Sequence, residues 1–135
     1  MKQWVFSEKD AEAPSYLDAI EEHEDYFLVR FKGSMGKESL ELNRAKMTAV
    51  IKKLDLYSKN ILCDFSKVVE ADTATVAALV SRLADFKLRK NTMVFFNVPE
   101  RLRIFMDITK VLPYFRVCDT LEEALKTIHP RGGGE

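Results

Sequence analysis

The sequence has no P-loop, no GxGxxG, no HExxH and no paired CxxC, which removes the phosphate-cradling, dinucleotide-binding and zinc chemistries that those spacings serve. Histidine is nearly missing. His23 falls in a turn and His129 at the end of the last helical segment; neither has a nucleophile or ligand set beside it, so both read as surface residues. Only Cys63 and Cys118 carry thiols, each inside an apolar run where a free thiol behaves as a small hydrophobe. A thiol in the middle of a buried strand also lacks the electropositive, partly exposed setting of a nucleophile. Reduced, unlinked cysteines are expected, and no catalytic residue, metal site or cofactor. No run approaches the roughly 18 apolar residues of a membrane-spanning helix, and the segment Met1 to Phe6 is followed by charge rather than by a signal-peptide core. These absences predict a soluble, unexported, cytoplasmic protein without membrane insertion. An excess of either charge is missing too: 21 Lys and Arg offset 21 Asp and Glu, which argues against a nucleic-acid binder held by counterion release.

What is present is core-forming material. The chain has 135 residues, 47% hydrophobic and 31% charged, enough for one domain without staples. Residues 1 to 25 hold eight carboxylates against Lys2 and Lys9, an acidic start read as a solvated edge. Pro14 and its Glu/Ala/Ser neighbours set off Trp4-Val5-Phe6 from the body, and Arg131-Gly132-Gly133-Gly134-Glu135 reads as flexible. The expected organisation is a short extension over 1–13, one domain over 14–129 and a flexible tail over 130–135.

Within that domain, Tyr16 to Glu22 and Tyr26 to Lys32 are β-type runs joined by His23-Glu24-Asp25, and the alternation of Phe27, Val29 and Phe31 with Arg30 and Lys32 predicts an antiparallel hairpin. Ser39 is placed to cap a helix whose Leu40, Met47, Val50, Ile51 and Leu54 keep helical spacing. Asn60 to Phe65 is a mostly apolar run, the pattern of a central strand covered on both faces. A loop over Ser66 to Ala71 leads to a second helix with Val76, Leu79, Val80, Leu83 and Phe86 on helical spacing. Thr92 to Val98 predicts another buried strand, Pro99 opens a third helix running to Pro113, Phe115 to Cys118 a last strand, and Thr120 with Glu123 a capping box before the final helix. Strand-helix alternation after a hairpin predicts an α/β fold: a mixed, mostly parallel sheet with helices packed on it.

The most informative stretch is Cys63-Asp64-Phe65-Ser66-Lys67-Val68-Val69-Glu70-Ala71-Asp72-Thr73-Ala74-Thr75-Val76, a central strand whose loop delivers Asp72 and Thr73 to a helix N-terminus. It resembles the STAS domain, shared by sulfate transporters and anti-sigma-factor antagonists, in which a strand of the form LDFSxV leads to an Asp-Ser/Thr pair opening a helix. Phe27-Leu28-Val29-Arg30-Phe31-Lys32-Gly33, Met93 to Val98, Phe115-Arg116-Val117 and Thr120 to Leu125 are similar to the family in order and spacing, so the resemblance spans about residues 15 to 128. Where many antagonists have Asp-Ser-Ser-Gly-Leu, this chain reads Asp72-Thr73-Ala74-Thr75-Val76. Ala74 stands at the usual second hydroxyl and Thr75 at the glycine, while Gly36 stands where the family often has an Asp.

The resemblance implies a non-enzymatic signalling protein that docks reversibly on a kinase-type anti-sigma factor or a related protein. Thr73, which directly follows the Asp, and Thr75 are the candidate phosphoacceptors, and Glu70, Asp72, Thr73, Thr75, Val76 and Leu79 form the candidate docking surface. The alternatives it leaves open are a STAS subunit bound permanently to the ATPase of a bacterial lipid-transport complex, a stress-signalling scaffold component, and a weak homodimer. A phosphate in the first turn of a helix sits beside unpaired N–H groups and adds roughly −1.5 to −2 charges, which beside Asp72 and Glu70 would repel a docked partner. A plainer reading of the same residues is that Asp72 or Thr73 only caps the helix. Helical spacing equally admits Val76 and Leu79 turned into the sheet, leaving Thr75, Ala78 and Arg82 outward.

Overall fold

The computed structural model describes residues 1–129; the tail expected over 130–135 lies outside them. Six strands form one sheet in the order β1 (Lys2–Val5), β2 (Leu17–Glu22), β3 (Tyr26–Ser34), β4 (Asn60–Glu70), β5 (Met93–Phe96) and β6 (Arg116–Cys118). β1, β2 and β3 are antiparallel neighbours, and from β3 to β6 every pairing is parallel. Parallel pairing demands crossovers, and helices supply them: α1 (Lys37–Leu42) and α2 (Arg44–Leu54) between β3 and β4, α3 (Thr73–Leu88) between β4 and β5, and α4 (Glu100–Ile108) between β5 and β6. α5 (Leu121–Ile128) closes the chain.

Alternation sorts the side chains. Phe27, Val29, Phe31, Cys63, Phe65 and Phe95 point to the face covered by α1 to α4, where Ile51, Val76, Leu79, Leu83, Phe86, Leu102 and Met106 meet them. Leu28, Leu62, Val94 and Phe96 point to the opposite face, under Leu121, Ala124, Leu125 and Ile128 of α5. The residues expected at the centre of the sheet (Ile61, Cys63, Phe65, Val94 and Phe96) are all buried. Both thiols are free. Cys63 belongs to the first core and Cys118, half-buried rather than buried as read from its run, to the second.

The structure corrects several sequence expectations. Trp4 sits in a strand that adds to the sheet through β2, with only Trp4 half-buried among its four residues, too little apolar alternation to announce a strand. The helix expected from Ser39 is two helices split at Asn43, and Gly36, not Ser39, occupies the N-cap of the first. The split has a cause: the Asn43 amide donates to the Ser39 carbonyl (2.7 Å) and the Ser15 hydroxyl (3.0 Å) while its oxygen accepts from the Ser15 N–H (3.0 Å), which ties the helix pair to the segment before β2. β4 runs on through the expected loop to Glu70, because its parallel ladder with β3 continues through two bulges to Ser34 opposite Glu70. α4 ends at Ile108, short of Pro113, where Lys110 enters the left-handed region (φ 64°) and the Val111 N–H closes on the Met106 carbonyl. The box at Thr120 is half made. Its hydroxyl accepts from the Glu123 N–H at 3.2 Å, but the Glu123 carboxylate faces that hydroxyl instead of the Thr120 N–H.

Candidate functional site

The long β4 carries the chain to the rim of the sheet, and Ala71-Asp72 turns it into α3. Asp72 has the extended backbone of an N-cap, and one carboxylate oxygen accepts from the N–H groups of Ala74 (2.9 Å) and Thr75 (3.3 Å). The Thr75 hydroxyl accepts in turn from the Asp72 N–H at 3.0 Å, completing a reciprocal capping box. The other Asp72 oxygen accepts from the Lys37 N–H at 3.0 Å, so a single side chain holds the starts of α1 and α3.

Further bonds stitch the loop after β3 to the loop after β4. The Ser34 hydroxyl donates to Glu70 Oε1 at 2.5 Å, the Met35 N–H to the Glu70 carbonyl at 2.8 Å, and the Thr75 hydroxyl to the Met35 carbonyl at 2.5 Å. Gly36 lies against this junction. A Cβ there would stand 3.1 Å from Asp72 Oδ2 and 3.4 Å from Glu70 Oε1, so a side chain would press on both carboxylates and make them shift by a few tenths of an ångström.

Thr73 is the first residue of α3. It is exposed, and its hydroxyl makes no hydrogen bond to a described residue. Glu70 is exposed beside it and Asp72 half-buried. Three other residues expected on the surface are elsewhere. Thr75 is fully buried with its hydroxyl occupied as donor and acceptor, which leaves no accessible oxygen to modify. Val76 and Leu79 are buried in the core under α3, as helical spacing from Leu83 and Phe86 requires. Ala78 and Arg82, expected outward in that case, are half-buried and line a cavity between α3 and the α1–α2 pair.

The outward stripe of α3 is instead Thr73, Ala77, Val80, Ala84 and Leu88, all exposed and spaced by three and four residues. Val69, 87% exposed at the end of β4, adds an apolar residue near the loop. Ser34, Gly36 and Lys37 also escaped the sequence reading. The departure at Gly36 from the family pattern was the one sign pointing to them, since only the parallel pairing of β3 with β4 brings that loop alongside Asp72.

A polar cluster lies farther back on β4. The buried Asp64 carboxylate accepts from Arg30 Nη1 (2.5 Å), the Ser66 N–H (2.9 Å) and the Asn97 amide (3.2 Å). Burial pushes this carboxyl up, but the bonds from Ser66, Asn97 and Arg30 outweigh it and hold it below its ordinary value. The cluster leaves no buried side-chain polar atom without a partner among the described residues and ties β3, β4 and the loop after β5 together. Among the described residues no three His, Cys, Asp or Glu side chains converge as a metal site, and no helix is long and apolar enough to cross a membrane.

Comparison with known proteins agrees with this architecture. The family model described as the STAS domain matches residues 19–124. The anti-sigma factor antagonist SpoIIAA in its unphosphorylated form superposes with a TM-score of 0.63 at 18% identity, covering 82% of this chain and 95% of that one. A putative anti-sigma factor antagonist from Thermotoga maritima gives 0.69 at 16% identity, covering 82% and 92%. The Bacillus cell fate determinant SpoIIAA in the phosphorylated form gives 0.57 at 18%, covering 81% and 96%. At such identities the likeness is one of fold. No curated protein matches the sequence.

Proposed function

The chain belongs to the STAS domain family, and on that premise we propose that it is a non-catalytic docking protein whose partner, a kinase-type anti-sigma factor or a related signalling protein, binds at Thr73 and is released when Thr73 is phosphorylated. The observation that carries this reading is the exposed hydroxyl of Thr73, without a hydrogen-bond partner among the described residues, beside a junction where Ser34, Asp72 and Thr75 are all engaged in hydrogen bonds. Because the Thr73 hydroxyl bonds to none of the described residues, a phosphoryl group there costs no hydrogen bond among them. The change is electrostatic: roughly −1.5 to −2 charges beside Glu70 and Asp72, where opposing potential on a partner would be lost or reversed.

The transfer itself is ordinary phosphoryl chemistry. The Thr73 oxygen bonds to the γ-phosphorus of ATP held by the partner, the bond to the ADP oxygen breaks, and the hydroxyl proton passes to a base on the partner. The outward stripe of α3 supplies the apolar part of the interface, Ala77 and Val80 nearest the switch. SpoIIAA, similar in fold, is known in both unphosphorylated and phosphorylated forms, which supports a switch that leaves such a fold in place.

The test is to recover the protein that the immobilised chain retains, add Mg-ATP, and locate the phosphate by mass spectrometry. The reading expects one phosphoryl group on Thr73 and release of the partner. A phosphate on another residue, or a partner that stays bound without any, would contradict it.

A further inference from the structure

Between α3, the α1–α2 pair and the sheet lies a cavity of about 570 Å³, open to solvent on one side and within the range of small-molecule sites. The sequence explains why it is there. α3 turns Ala74, Ala77, Ala78 and Ser81 toward it, too short to reach the facing helices, and among the eleven residues of α2 only Ile51 is buried. Asn43 anchors the helix pair to Ser15 at the junction of α1 and α2. The walls are largely apolar, with Phe31, Ile51 and Leu79 among the lining residues.

Two polar groups point to an occupant. Tyr16 lines the cavity with its ring packed away (5% exposure). Its hydroxyl has no hydrogen-bond partner among the described residues, and since none of their buried polar side-chain atoms lacks one, that oxygen is open to the cavity. Arg82 stands close enough to favour the charged form of Tyr16 against the effect of burial. Its Nη1 donates to the Tyr57 hydroxyl at 3.0 Å, and that hydroxyl donates to Asp85; its other N–H groups have no partner among the described residues. Lys37, Arg44 and Arg82 line the cavity against one carboxylate, Glu41, so its field favours an anion.

We propose that this cavity binds a carboxylic acid with an apolar body, the carboxylate held by the Tyr16 hydroxyl and the Arg82 guanidinium and the hydrocarbon lying over Phe31, Ile51 and Leu79. A hydroxyl and a guanidinium lining one cavity supply the two kinds of donor that a carboxylate accepts from. The alanine face of α3 leaves room for a chain rather than for a protein side chain. The site adjoins the Thr73 junction through Met35, Lys37 and Ala77, but its proposed ligand groups, Tyr16 and Arg82, take no part in that junction, and it does not depend on the docking reading.

Decanoate, titrated into the full chain below its micelle concentration and followed by calorimetry and by backbone amide shifts, tests the assignment, with decanol as the neutral probe. Decanoate is expected to bind, to shift Ile51 and Ala78, and to bind at least about tenfold more tightly than decanol, the worth of a hydrogen bond to a charged group. Tyr16→Phe should weaken decanoate about tenfold without lowering the melting temperature, since the hydroxyl it removes is unbonded. Ala78→Phe should fill the cavity, abolish binding and raise the melting temperature. No binding of decanoate to the parent chain, equal binding of decanol, or undiminished binding by Tyr16→Phe would each overturn the proposal, the last even if Ala78→Phe does not fold.

Discussion

The Thr75 hydroxyl donates to the Met35 carbonyl at 2.5 Å, a bond between residues 40 apart in sequence that fixes the end of β3 against the first turn of α3. Both residues are buried. Thr75→Val keeps the shape but strands the Met35 carbonyl and the Asp72 N–H, so it should cost about 2 kcal/mol, the penalty of an unsatisfied buried group. Thr75→Ser keeps both bonds and loses one methyl, about 0.8 kcal/mol. Urea unfolding of the two variants checks the order.

Asp72 serves two helix starts through different oxygens. Asp72→Asn retains the acceptor for α3 but offers an amide where the Lys37 N–H needs an oxygen. Asp72→Ala loses both. Melting temperatures should fall in the order parent, Asn, Ala, with the alanine variant losing at least about 1 kcal/mol.

Asp64 titrates below its ordinary value in the folded chain. The unfolded chain takes up that proton first, so the contribution of Asp64 to stability is complete above about pH 4, the unfolded carboxylate value, and declines as pH falls through the lower folded value. Asp64→Asn should be less stable than the parent at neutral pH, and the gap should narrow on acidification. Arg30 is 34% exposed, which keeps the gap below the roughly 3–5 kcal/mol of a fully buried pair. Denaturant midpoints of both proteins across the acid range test this.

The cysteines face opposite sides of the sheet. Burial pushes the Cys63 thiol far up from its ordinary value, the neighbouring Asp64 adding to the effect, whereas Cys118 is half-buried. Iodoacetamide on the native protein should modify Cys118 alone, with Cys63 reacting only on unfolding, and no intramolecular disulfide should form. Peptide mapping of the labelled protein distinguishes the two sites.

The core was legible in the sequence because burial on both faces of β4 and β5 writes itself as unbroken apolar runs, Ile61-Leu62-Cys63 and Met93 to Phe96. The same logic hides what lies past the covered part of the sheet. Ser66, Lys67, Val69 and Glu70 are strand residues facing solvent, with the composition of a loop. Thr75 shows a different failure. It lies four residues before Leu79 and so on the inward face of α3, but a hydroxyl beside Thr73 read as a second site residue. Its burial depends on the Met35 carbonyl, which no local pattern could supply. Val76 and Leu79 were ambiguous for a related reason, since spacing defines a stripe but not the side on which the sheet lies.

The affinity of the recovered partner for Thr73 variants tests the central claim most directly. Thr73→Glu adds one charge beside Glu70 and Asp72 at a helix N-terminus, where a carboxylate does not destabilise. The melting temperature should hold while partner affinity falls about tenfold or more, and Thr73→Ala should bind as the parent does and accept no phosphate. Equal affinities for the parent, Thr73→Ala and Thr73→Glu, in proteins of equal stability, would show that the junction is a capped helix start and that docking, if any, lies elsewhere.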